Sequence, residues 1–231
     1  PSTASLHFKN IYNVSSRPIS KARGSFWLAR AYQDLGQIEL AQKWFLESSN
    51  YNLTFYGQLA NGYLDTKLKF DVNRHTEKVD LNNINSEMLK IYRVIYLLEE
   101  LKEFKIMKKF IWSIAKDDNT NERLRITKLA KNLNRDDFAV QSGKLVYYDT
   151  LLFTPESFPS VKRPEFGKII FPPQPFIHSV IRQESQFDPK AGSYAGAKGL
   201  MQIMPYTGKK LSKGLNLKYT KSKLTSDPTY N

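Results

Sequence analysis

Six of the eleven prolines in this 231-residue chain fall between Pro155 and Pro175, in Thr154-Pro155-Glu156-Ser157-Phe158-Pro159, at Pro164, and in Phe171-Pro172-Pro173-Gln174-Pro175. Each proline removes a backbone donor and disfavours helical geometry in the residue before it, so this stretch is predicted to be a non-helical connection. The chain is therefore expected to divide into a domain over 1–153, a proline-rich connection over 154–175 and a second domain over 176–231.

Before the prolines the pattern is helical. Phe26, Trp27, Arg30 and Ala31, then Ile38, Ala41, Trp44 and Phe45, recur at three- and four-residue spacing, with Gly36 between them as a helix stop. Leu28-Ala29, Tyr32, Gly36, Ala41 and Phe45 are similar in spacing to a tetratricopeptide-type hairpin, in which small residues let two helices approach and aromatics fill the gap. Further helices are predicted at Leu53–Leu64, through Met88, Ile91, Ile95, Leu98 and Leu101, and at Ile106–Ala115, Glu122–Leu133 and Phe138–Tyr148. The acidic and basic pairs among them (Glu99-Glu100, Lys108-Lys109, Asp117-Asp118, Asp136-Asp137) read as solvated faces and ends. No strand-period segment of useful length is found. The expected class is all-α, opening with a superhelix of stacked helix pairs, an architecture that more often scaffolds than catalyses.

Composition bounds the rest. With 41% hydrophobic and 13% aromatic residues the chain can build a core. No window approaches eighteen uncharged apolar residues, so no membrane span is predicted. Pro1-Ser2-Thr3-Ala4-Ser5 lacks the charged and apolar regions of an export signal, which is expected to have been removed or never present. The absence of cysteine excludes a disulfide framework and Cys-ligated metal sites, and fits either a reducing compartment or a thiol-free exported protein. The net charge of +13 admits simple solubility, nucleic acid, anionic lipid or another acidic polymer.

The residues with candidate chemistry follow the prolines. In Phe176-Ile177-His178-Ser179-Val180-Ile181-Arg182-Gln183-Glu184, the residues Ile177, Val180, Ile181 and Glu184 share one helical face. Glu184 takes the next place on an apolar stripe, and Asp188-Pro189 is expected to end the helix within a turn of it. A carboxyl among apolar neighbours loses hydration of its charged form, which would hold a proton available for general-acid work near pH 7. Periodicity alone speaks as much or more for a last-turn residue reaching solvent past the helix end. His178 lies six residues away on a different face and reads as a packing or surface residue. Neither it nor His75 suggests a metal set.

The next block, Ser193-Tyr194-Ala195-Gly196-Ala197-Lys198-Gly199-Leu200-Met201-Gln202-Ile203-Met204-Pro205, places Gly196, Ala197 and Gly199 before an apolar turn. Small residues there permit close approach of another backbone or an extended ligand. A purely structural turn before a core helix would look the same, and methionine at these spacings is commonly core.

Taken together, Ile181-Arg182-Gln183-Glu184-Ser185-x-Phe187-Asp188-Pro189 and Ser193-x-x-Gly196-Ala197-x-Gly199-Leu200-Met201-Gln202-Ile203-Met204-Pro205 closely resemble the soluble lytic murein transglycosylases with a goose-lysozyme-like catalytic domain. The tail Leu224-Thr225-Ser226-Asp227-Pro228-Thr229-Tyr230-Asn231 is similar to that family's next motif, in which Asn231 would open an Asn-Ile-x-x-Gly-x-x-Tyr-Leu run. Upstream, Ala22-Arg23-Gly24-x-x-Trp27-x-x-Arg30 and Thr54-Phe55-Tyr56-Gly57-Gln58-Leu59-Ala60 are similar to the helical superhelix of the large members.

The resemblance implies a superhelix followed by the first part of a lysozyme-like α domain, in a periplasmic bacterial enzyme that cuts the β-1,4 bond between N-acetylmuramic acid and N-acetylglucosamine of peptidoglycan, leaving a 1,6-anhydro end. By analogy Glu184 is the catalytic acid and then base. Ser193, Gln202 and Met204 match positions lining the sugar subsites, while Ser185, Gly199 and Met201 support them. No cofactor, metal or nucleic acid is implied, and membrane contact would be peripheral or none. Ordinary glycosidases use two carboxyls, yet from Pro189 to Ser226 there is no Asp or Glu. That agrees with one catalytic acid assisted by the substrate's N-acetyl group. The family's Ala-Tyr-Asn-x-Gly motif has no counterpart, so the 231 residues are expected to be a C-terminally incomplete catalytic domain with little activity alone. The competing expectations are a goose-type muramidase hydrolysing the same bond, or a non-catalytic helical scaffold.

Overall fold

The structure, a computed structural model, describes residues 1–66, 84–117, 119–161 and 172–231. His75, Asp118, Pro164 and Phe171 lie outside the described residues. The chain forms two compact units, Pro1–Lys78 with Tyr147–Phe153, and Val79–Val146 with Thr154–Asn231. Among the described residues the regular structure is helical, apart from two isolated β-bridges.

The first unit contains α1 (Ser2–Val14), α2 (Pro18–Asp34), α3 (Ile38–Ser49) and α4 (Phe55–Tyr63). Pro18 starts α2 where its missing N–H costs nothing. Thr54 caps α4 by accepting the Gly57 N–H at 3.1 Å. The small and aromatic residues of the predicted hairpin meet as expected: Phe26, Ala29, Ala41, Phe45 and Ala60 form the core, with Tyr32, Trp44 and Tyr56 packed on it. Helix α1 was not foreseen. It carries no side-chain cap and buries no residue fully, and it is held by aromatic contacts, Tyr12 edge-on to Trp44 at 5.1 Å and Phe8 on Trp27 at 6.2 Å.

The second unit begins with α5 (Ser86–Glu100), α6 (Phe104–Ala115), α7 (Thr120–Asn132) and α8 (Asp136–Thr150), of which residues up to Val146 belong here. Asn85 and Asn119 cap α5 and α7. Ile95, Met107, Ile111 and Ile126 are fully buried, with Met88, Ile91 and Leu98 packed against their cluster. A Tyr92 hydroxyl donating to Glu122 at 2.6 Å, and Arg125 paired with the same carboxylate, partner both of its buried oxygens. Asp137, expected at a solvated helix end, is buried (4% exposed), because the Arg135 guanidinium forks onto its two oxygens at 2.9 and 2.6 Å.

Candidate active site

Glu184 is the last residue of α9 (Gln174–Glu184), which carries Pro175 in its first turn, two residues into the predicted connection. The helix is anchored from three directions. Ile181, 3% exposed, enters a core with Phe187, Leu200 and Val140 of α8, against which Ile177 and Met201 also pack. The Val161 N–H donates to His178 Nε2 at 3.2 Å, so His178 does packing work, as its face suggested. Arg182 lays its guanidinium over the Phe158 ring at 4.1 Å and donates to the Ser157 carbonyl. Ser157 belongs to a 3₁₀ turn, Pro155–Ser157, within the proline-rich stretch, which supplies the contacts that fix α9. On α8, burial lowers the pKa of Lys144, and the nearby Arg182 charge lowers it further.

Glu184 itself is exposed. The apolar stripe on which it was expected to lie ends in the core at Ile181, and Glu184 stands beyond it, at the helix end, with no side-chain partner among the described residues. The chain then folds sharply: Gln186 and Phe187 both adopt left-handed backbone, φ 55° and 65°. These two residues swing the Phe187 ring back into the core beneath the helix end, an arrangement that non-glycine residues accept only when packing enforces it. Ser185, buried, donates its hydroxyl to the Ile181 carbonyl at 3.2 Å. It thus braces the final turn that carries Glu184.

The second motif folds as a compact loop. Bridges pair Gly192 with Lys198 and Lys198 with Ile203. Ser193, exposed, accepts the Ala197 N–H on its Oγ at 3.0 Å, which leaves its own O–H free to donate outward. Gly199 has φ +76° and is buried. Gln202, also left-handed, donates its amide Nε2 to the Gly199 carbonyl at 2.9 Å and keeps its Oε1 as an available acceptor. Met201 is half-buried on the α9 core, whereas Met204 is exposed just before α10 (Pro205–Gly214). The shared Ile181–Phe187–Leu200 core ties the Glu184 helix end to the Gly199–Gln202 turn. Ser193 joins through the bridged loop. No direct contact links the Glu184 carboxylate to Ser193, Gln202 or Met204 among the described residues.

Sequence reasoning passed over two features of this site. Asn231 accepts the Met201 N–H at 2.7 Å and donates to the carbonyls of Lys198 and Leu224 at 2.8 and 2.9 Å. It follows the short helix α11 (Lys223–Ser226). Its position in the tail motif was noted, but nothing in one sequence shows which loop a terminal carboxamide will clamp. Tyr194 and Tyr206, 110% and 80% exposed beside Ser193 and Met204, present aromatic faces to solvent next to the predicted sugar-lining residues. Seven of the eight lysines between Pro189 and Ser226 are exposed on this same segment. Among the described residues no group of three or more His, Asp or Glu is arranged to hold a metal ion.

Residues 172–231 match the family model of the transglycosylase SLT domain. In sequence the chain is similar to soluble lytic murein transglycosylases of Escherichia coli K12 and O157:H7, 38% identical over 103 residues that cover 41% of this chain and 15% of each relative. In structure it is similar to the 70 kDa soluble lytic transglycosylase Slt70 from E. coli, with a TM-score of 0.64 at 20% identity over 91% of this chain and 34% of that one. It is similar as well to the lytic transglycosylase Slt from Pseudomonas aeruginosa, solved as an inactive mutant, with a TM-score of 0.65 at 20% identity over 90% and 34%. The chain thus spans about a third of the solved relatives it matches. The structural likeness establishes the all-α fold expected from the sequence, shared with these enzymes over nine-tenths of the chain.

Proposed function

We propose that this chain contributes the acid-bearing part of a peptidoglycan lytic transglycosylase. The observation that carries the reading is the placement of Glu184, without a side-chain partner among the described residues, at the end of a helix whose core is shared with the Gly199–Gln202 turn. The family-model match over the same segment supports it.

In this reading Glu184, protonated, donates to the glycosidic oxygen between N-acetylmuramic acid and N-acetylglucosamine as the bond to the anomeric carbon breaks. The resulting carboxylate takes the proton of the C6 hydroxyl while that oxygen closes onto the same anomeric carbon. One C–O bond breaks, one forms, the proton returns to Glu184, and no water is consumed. The free Ser193 hydroxyl and Gln202 Oε1 supply a donor and an acceptor for sugar hydroxyl and acetamido groups, and Met204 with Tyr206 supplies apolar surface for ring faces. Ser185, Gly199 and Met201 act beneath them as support.

The substrate fits the charge. Stem peptides of peptidoglycan carry free carboxylates, and the lysine-rich, acid-free segment 189–226 borders Glu184. Action on this polymer places the protein in the periplasm as an exported enzyme. Mass spectrometry of the products released from murein sacculi by the full-length protein tests the reading. Ends of the 1,6-anhydro type support it, whereas reducing ends, heavier by one water, identify a muramidase instead.

A further inference from the structure

One face of α6 carries Lys105, Lys108, Lys109, Trp112 and Lys116, a stripe at spacings of three and four residues that rises about 16 Å along the helix. With Ser113 these residues line a groove of about 460 Å³. The opposite face, through Met107, Ile111, Ile114 and Ala115, is buried in the core, so the stripe is the outward side of a helix fixed in place. Trp112 is 36% exposed and held at its edge, its indole N–H donating to Gln141 Oε1 at 3.3 Å. The ammonium groups of Lys108 and Lys116 each sit 5.3 Å from its ring centroid. Among the described residues none of the four lysines has a carboxylate partner. Four like charges on one helix face repel one another, and cation–π contacts with the indole account for only two of the four lysines, Lys108 and Lys116.

We infer that this groove is a second binding site for the anionic glycan strand, separate from the Glu184 site. An indole face accepts the apolar face of a pyranose ring, and the flanking ammonium groups meet the carboxylates that stem peptides carry. This occupant rests on the function proposed above. Two other polyanions fit less well. Single-stranded nucleic acid is bound by successive aromatic platforms, and the stripe offers one indole. An interfacial membrane helix inserts an apolar face, and the apolar face of α6 is already buried.

The test measures binding of the full-length protein to purified murein sacculi by co-sedimentation, in a Glu184→Gln background so that cleavage does not enter the readout. Replacing Lys105 and Lys109 together by Glu should weaken sacculus binding at least about fivefold at low salt, and the difference should shrink as salt rises. Trp112→Ala should weaken it by a similar factor. Both lysines are exposed and away from the core, so the pair decides the question even if Trp112→Ala perturbs folding. Unchanged sacculus affinity in the lysine pair overturns the inference. Tighter groove-dependent binding to phosphatidylglycerol vesicles or to a single-stranded DNA oligonucleotide than to sacculi overturns it as well. Because binding alone is read, its failure leaves the cleavage chemistry standing, and failure of the transglycosylase reading shows only in the product ends.

Discussion

The side-chain amide of Asn231 occupies the space that a side chain on Gly199 would need. A Cβ on Gly199 would lie 2.3 Å from Asn231 Nδ2 and 1.9 Å from the Leu224 carbonyl oxygen, and the residue already sits at φ +76°. Gly199 is thus fixed both by backbone geometry and by close approach. Gly199→Ala is expected to destabilise the second unit by about 3 kcal/mol. Asn231→Ala, which removes three hydrogen bonds without adding bulk, is expected to cost about 2 kcal/mol. Denaturant unfolding of each variant measures both, and an unchanged midpoint for Gly199→Ala would contradict the clamp.

A second close approach links α8 to the helix that bears Glu184. A Cβ on Gly143 would lie 2.3 Å from Ser157 Cβ and 2.5 Å from Thr154 Oγ1. The 3₁₀ turn held there presents the Ser157 carbonyl to Arg182. Gly143→Ala is therefore expected to displace the turn, cost about 2 kcal/mol, and lower glycan cleavage although it touches no substrate. Adding Ser157→Gly removes the Ser157 Cβ and Oγ, two of the three colliding atoms, and should recover part of both losses. A double variant no better than the single would show that the contact does not position α9.

Alkaline pH probes the buried tyrosines of both units, Tyr147 of the first and Tyr92 of the second among them. Burial pushes the Tyr147 phenol up to about 12, against a smaller downward influence of the Leu53 N–H that donates to it at 3.2 Å. The folded state therefore favours the neutral phenol. Its contribution to stability is complete below the ordinary tyrosine value near 10 and is lost as pH rises from there through 12, a difference of about 2 to 3 kcal/mol. Tyr147→Phe is expected to flatten the fall in stability between pH 10 and 12. Burial raises Tyr12 and Tyr51 too, so part of the slope survives in the variant. Equal slopes in the two proteins would contradict the assignment.

Most helices were legible because apolar spacing marks their buried faces. The periods through Phe26–Phe45, Met88–Leu98 and Ile177–Ile181 became buried faces. Helix α1 escaped because inter-helix aromatic contacts hold it rather than a cap or a stripe. At the site, the motif order marked Glu184 and the Gly199 turn, and of the two placements that periodicity left open for the carboxyl the structure has the last-turn residue reaching solvent. A helical wheel continues the stripe past Ile181, but the helix stops at Glu184, and the left-handed turn at Gln186 and Phe187 returns Phe187, not Glu184, to the core. Long-range partners such as Asn231 with Met201, or Gly143 with Ser157, leave no local pattern, because their meaning arises only when distant segments meet.

The central claim is that Glu184 carries the proton in a cleavage that consumes no water. Gln keeps the size and hydrogen bonding of Glu184 and deletes its proton. The decisive measurement is the yield of 1,6-anhydro-muropeptides from murein sacculi, by mass spectrometry, for the full-length protein and its Glu184→Gln variant at equal folded concentration. The account predicts anhydro ends from the parent and a loss of at least about a hundredfold in the variant. Undiminished release by Glu184→Gln, or products bearing only reducing ends, would contradict it.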